Sequence, residues 1–66
     1  MRITPEAIRK ARSALNESQS EFAARMELDQ ATVSRWENGA LPKHGWPQVL
    51  LRFVLGEVER TINQRG

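Results

Sequence analysis

Sixty-six residues make one domain at most, and a chain this short buries only a limited core. Cysteine is absent, which excludes a disulfide or thiolate-metal staple and leaves helix packing or a partner subunit as the sources of stability. Ten basic residues oppose eight acidic ones, a formal +2 that is too small to name a partner by itself.

A first helix is expected to begin near Thr4. Threonine is a good N-cap, Pro5 suits the first helical position, and Glu6 favours the positive helix end. Ile8, Ala11 and Leu15 recur at helical spacing and form one apolar stripe, which Asn16, Glu17 and Ser18 interrupt. Ser18 and Glu21 then spell a capping box for a second helix, with Phe22, Ala23 and Met26 facing inward. Asp29 is the N-cap of a third helix, and Leu28 with Val33 forms a hydrophobic staple around it. Val33 and Trp36 supply its buried side, while Gln30, Ala31, Thr32, Ser34 and Arg35 lie on or near its outer side. Asn38 and Gly39 end it, the glycine placed for a left-handed backbone. Ala40 to Trp46 reads as a loop marked by Pro42 and Gly45. Pro47 opens a segment so apolar that it is either buried on two sides or broken. Gly56 is the expected break, giving a fourth helix near 47–55 and a fifth near 57–63. No strand pattern stands out.

Residues Gln19 to Gly39, QSEFAARMELDQATVSRWENG, are the most informative stretch. Two short amphipathic helices joined by a tight turn can present the second of them to a DNA groove. Gln19, Glu21, Phe22, Ala23, Val33, Ser34, Trp36, Glu37 and Gly39 stand at the spacing Q-x-E-φ-A, then about ten residues, then V-S-x-W-E-x-G. In this the chain resembles the helix-turn-helix of the lambda-repressor-like, Cro and Xre regulators, over roughly residues 4–60. The resemblance implies an all-α fold, a bundle of about five short helices with the helix-turn-helix at 18–38 and a C-terminal packing and dimerisation segment at 47–63. One departure stands out. The family usually has glycine at the first turn position, and this chain has Glu27. Either Glu27 accepts a left-handed backbone there, at a cost of about 1 kcal/mol without glycine, or the turn is built differently.

The same resemblance implies site roles. Gln19, in the first turn of the second helix, is expected to bind phosphate, as are Thr32, Asn38 and Lys43; His44 lies beside Lys43 in the same loop. Gln30 is expected to read a base, because its amide offers the donor and acceptor that match adenine N7 and N6. Ala31 is placed for a thymine methyl, Ser34 lies one turn after Gln30, and Arg35 has the fork that fits guanine O6 and N7. Arg12 and Glu37 match a family ion pair tying the first helix to the end of the third. Trp36 belongs to the core by its period, and Trp46 either caps the core or meets a second subunit.

Charge is distributed unevenly. Residues 1–15 hold Arg2, Arg9, Lys10 and Arg12 against Glu6, whereas residues 16–29 hold Glu17, Glu21, Glu27 and Asp29 against Arg25. That asymmetry suits a protein with one phosphate-facing side. Leu51, Leu55, Val58 and Ile62 share one flank of the last segment and are expected to form a homodimer interface; Leu50, Phe53 and Val54 share another. The expected function is sequence-specific DNA binding, as a repressor that reads a palindromic operator in double-stranded DNA and regulates its own small operon. Chains of this kind resemble phage Cro proteins, antitoxins and regulators of anti-CRISPR operons. A protein-interaction module that keeps the fold without reading DNA is the alternative. An enzyme is not expected: there is one histidine, no cysteine and no phosphate-binding glycine loop. Nor is a cofactor, a metal or a small-molecule ligand. No apolar run is long enough for a signal peptide or a membrane span, and the expected location is the cytoplasm of a bacterial or phage-infected cell.

Overall fold

The computed structural model describes residues 2–65. They form four helices: α1 (Pro5–Leu15), α2 (Gln19–Arg25), α3 (Gln30–Glu37) and α4 (Trp46–Arg65). No strand occurs among the described residues.

The first three starts are capped by side chains. Thr4 Oγ1 accepts from the Ala7 amide at 3.0 Å, with Pro5 in the first turn where its missing N–H costs nothing. Ser18 accepts from the Glu21 amide at 3.1 Å, and Glu21 accepts from the Ser18 amide at 2.8 Å, which completes the capping box. Asp29 accepts from the Thr32 amide at 3.0 Å.

The same three helices end alike. Glu17, Leu28 and Ala40 each donate an amide back to a carbonyl five residues earlier, at 2.9 Å in all three cases. Asn16, Glu27 and Gly39 sit at the left-handed position of these Schellman turns, with φ of 57°, 57° and 108°. Glu27 therefore adopts the strained conformation instead of the turn being rebuilt around it. Its amide bonds the Ala24 carbonyl at 3.0 Å while Leu28 bonds that of Ala23, so two helix-end carbonyls are satisfied.

The core draws on all four helices. Ile8, Phe22, Val33 and Leu51 are fully buried, and Ala11, Ala23, Met26, Trp36, Val54, Leu55 and Val58 join them. The absent side chain bulk at Ala23 lets α2 and α3 lie close, while α1 packs against both α3 and α4.

Two expectations for the C-terminal third are corrected. Residues 46–65 form one helix, with Gly56 inside it, so the bundle has four helices instead of five. Glycine at an interior position costs about 1 kcal/mol relative to alanine. Burial of a valine side chain is worth roughly 1.5–3 kcal/mol. Leu51, Val54, Leu55 and Val58 are buried at i, i+3, i+4 and i+7, a stripe that only an unbroken helix keeps aligned across Gly56. The second correction concerns the flank that faces out. Leu51, Leu55 and Val58 belong to the core of the single chain, so they are not available to a second subunit; of the expected interface only Ile62, 39 % exposed, reaches solvent. Both flanks are apolar, and α1 packs on the one carrying Leu51. The side left open bears Trp46, Val49 and Phe53, all more than 60 % exposed.

Candidate nucleic-acid interface

Helix α3 packs on α2 and α1 through Val33 and Trp36, which turns its other side outward. Gln30, Ala31 and Arg35 are exposed there, and Ser34 is half-buried. These are the four residues expected to read bases. None of the described residues covers the exposed three.

Behind this face runs a continuous chain of polar contacts. The Glu37 carboxylate, at the C-terminal end of α3, is buried. Arg12 of α1 grips it with both arms of its fork, Nε donating to Oε2 at 2.6 Å and Nη2 to Oε1 at 3.0 Å. Arg12 Nη1 also donates to the Glu17 carbonyl at 3.1 Å, so one guanidinium ties α3 to α1 and to the α1–α2 turn. Gln19 Nε2 donates to Glu37 Oε1 at 3.1 Å. Gln30 Nε2 in turn donates to Gln19 Oε1 at 2.5 Å.

This chain fixes the state of Gln30. One of its two amide N–H groups is given to Gln19, which sets which end of the amide is nitrogen. One N–H and the carbonyl oxygen are left over, a donor beside an acceptor on an exposed side chain. Gln19 is thus a bridge between Glu37 and Gln30, with a single amide N–H remaining for a phosphate.

Electrostatics hold the assembly. Burial pushes the Glu37 carboxyl up, but the hydrogen bonds from Arg12 and Gln19, with the charges of Arg12 and Arg9, outweigh it and hold the group below the ordinary carboxylate range. Glu37 therefore stays ionised, and no buried side-chain nitrogen or oxygen among the described residues lacks a partner.

Arg9 was not singled out by sequence. Its Nη2 donates to the Glu37 backbone carbonyl at 2.5 Å, and its Nε lies 3.7 Å from Glu37 Oε1. A cation at a helix C-terminus also complements the helix dipole. The signal was the i, i+3 spacing of Arg9 and Arg12, which puts both guanidinium groups on one side of α1.

The outer side of α3 carries a second set of contacts. Thr32 gives its hydroxyl proton to Asp29 Oδ1 and accepts from Arg35 Nη2 at 3.2 Å. In this arrangement Thr32 braces the cap and Arg35, and a phosphate contact would require its hydroxyl to turn away from Asp29. Asp29 itself is held below the ordinary carboxylate range, first by the Thr32 hydroxyl and then by the Thr32 amide. Asn38 and Lys43 are exposed at the end of α3 and in the following loop, as is His44.

No helix among the described residues is long and apolar enough to cross a membrane. No curated protein and no solved structure matches the chain significantly. A family model described as helix-turn-helix matches residues 8–44, just over half of the chain, and spans most of α1, all of α2 and α3, and nearly all of the loop that follows. The match, the capped α2–α3 pair and the open face of α3 agree: the chain belongs to the lambda-repressor-like, Xre-type helix-turn-helix family of DNA-binding regulators.

Proposed function

We propose that the protein is a sequence-specific repressor that reads its operator with Gln30, Ala31, Ser34 and Arg35 in the major groove. The observation that carries this reading is the open face of α3 with Gln30 braced from behind by Gln19 and Glu37. A donor and an acceptor held side by side match adenine N7 and N6, and the exposed Arg35 fork matches guanine O6 and N7. Preorganisation lowers the cost of ordering Gln30 on binding. Asn38, Lys43 and the remaining N–H of Gln19 contact phosphates and set the register of α3 on the duplex.

Repression is steric: the bound protein covers promoter DNA, in the operon that includes its own gene. The operator is a palindrome read by a homodimer. Two-fold dimers of this class hold their reading helices about one DNA turn apart, roughly 34 Å. The longest dimension of one protomer is 32 Å, so two protomers joined along one side span that distance. The dimer surface is the open side of α4. Phe53, 65 % exposed, is one wall of a groove of about 320 Å³ there, with Leu15, Arg25 and Leu50 among the others. A two-fold interface would set the Phe53 of each copy against the same surface of the other.

Selection of bound duplexes from a random pool tests the proposal. The expected product is a two-fold symmetric motif, and Gln30→Ala and Arg35→Ala each lose about 1–3 kcal/mol of discrimination at one base pair per half-site. A pool that remains random after selection by the wild-type protein rules the repressor reading out and favours a protein-interaction role.

A further inference from the structure

Beside the end of α3 lies a cleft of about 470 Å³ that no expected site residue except Lys43 touches. Arg2 enters it from the N-terminal segment, Lys43 from the α3–α4 loop and Arg52 from α4, with Gln48 between them. Ile3, Leu41 and Pro42 form an apolar base, all half-buried. Among the described residues, no acidic side chain lines the cleft. The three cations are exposed, and the ion pairs among the described residues use Arg9, Arg12, Arg25 and Arg60 instead.

Three unpaired positive charges from three separate parts of the chain repel one another. Nothing in the fold needs them together, since none satisfies a buried group. Their shared surroundings suit an anion with several charges. The cleft is bordered by Gly39, two residues past the end of α3. Gly39 lies nine positions after Gln30, roughly 14 Å at the helical rise. A phosphate strand flanking a groove read by α3 therefore has the cleft within reach.

We infer that Arg2, Arg52 and Lys43 form a clamp on the phosphate backbone of duplex DNA, extending the contact beyond α3 and its following loop. The clamp rests on the DNA-reading proposal above. It adds affinity without sequence preference, because phosphates carry no base information. It also gives the basic N-terminal segment a role that the helix-turn-helix alone leaves unassigned.

Salt titration of Arg2→Gln, Arg52→Gln and the double variant on the selected duplex and on a scrambled one tests the clamp. Each single variant is expected to flatten the slope of log K against log salt by about 0.9, and the double variant by about twice that. Affinity at 0.15 M salt falls about fivefold per variant, by the same factor on both duplexes. Unchanged slopes in both variants, with the wild type still binding the selected duplex, overturn the clamp and leave the reading face standing. A wild-type protein that selects no duplex removes the reading face and the clamp together. Inorganic tripolyphosphate supplies a further arm: competition beyond its ionic strength, lost in the double variant, identifies a site for free polyphosphate and overturns the assignment to the duplex.

Discussion

Glu27 shows how far one residue can depart from the expected pattern. A carboxylate side chain occupies a backbone at φ 57°, where an L-residue other than glycine is strained by roughly 1–2 kcal/mol. Leu28 and Val33 are placed by that turn, so the strain is offset by the burial it permits. Glu27→Gly is expected to raise stability by up to about 1 kcal/mol, less the larger chain entropy of glycine in the unfolded state. Urea unfolding measures it, and a loss of stability would show that the Glu27 side chain contributes something its exposure does not suggest. Glu37 gives a prediction in pH. Its carboxyl is held below its unfolded value, so the contribution is fully present above the ordinary carboxylate range and is lost as the pH falls through the folded value. Asp29 titrates in the same sense. Stability is therefore expected to drop on acidification below the carboxylate range, and Glu37→Gln should flatten that limb while lowering stability at pH 7. Parallel acid limbs for the two proteins would remove Glu37 as a source of the pH dependence.

At the scale of elements, α4 decides between propensity and packing. A glycine and a broad apolar surface both suggest a break at Gly56, yet the helix runs through. The alignment of Leu51, Val54, Leu55 and Val58 on α1 outweighs the single weak position. A Cβ added at Gly56 meets nothing within 4 Å. Gly56→Ala is accordingly expected to stabilise the protein by about 0.5–1 kcal/mol. An equal loss would mean that the backbone at residue 56 needs the freedom of glycine. The α2–α3 pair behaves differently, because there the local rules agree. Caps at Ser18 and Asp29, the staple of Leu28 and Val33, and the stop at Gly39 all specify the same two short helices. This consistency is what made the helix-turn-helix readable residue by residue.

For the whole molecule, the radius of gyration is 11.0 Å, close to the roughly 10.8 Å of a compact chain of this length. The core is closed within one protomer, so the dimer proposed above is an added association and not a condition of folding. Phe53→Glu is expected to yield a folded monomer by sedimentation, with unchanged helix content and at least tenfold weaker binding to a two-fold operator. Leu51→Glu, by contrast, puts a charge into the fully buried core and is expected to unfold the chain. A Phe53→Glu protein that is still dimeric at low micromolar concentration would move the interface off the open side of α4.

Legible in the residues was whatever depends on neighbours within about four positions: the caps of α1, α2 and α3, the left-handed stop at Gly39, and the polar outer side of α3. The sequence also supplied the Arg12–Glu37 pair, through resemblance, because the family spacing carries a contact that local rules cannot. Tertiary structure alone decided three things. It chose which apolar flank of α4 faces α1, since both flanks satisfy the same periodicity and only packing against Ile8 and Ala11 separates them. It turned Gln19 inward to brace Gln30, and it brought Arg9 onto the end of α3, because both depend on the angle between helices distant in sequence. Helical periodicity records that a residue is apolar or polar, whereas the partner it meets is fixed only when the four helices close around one core.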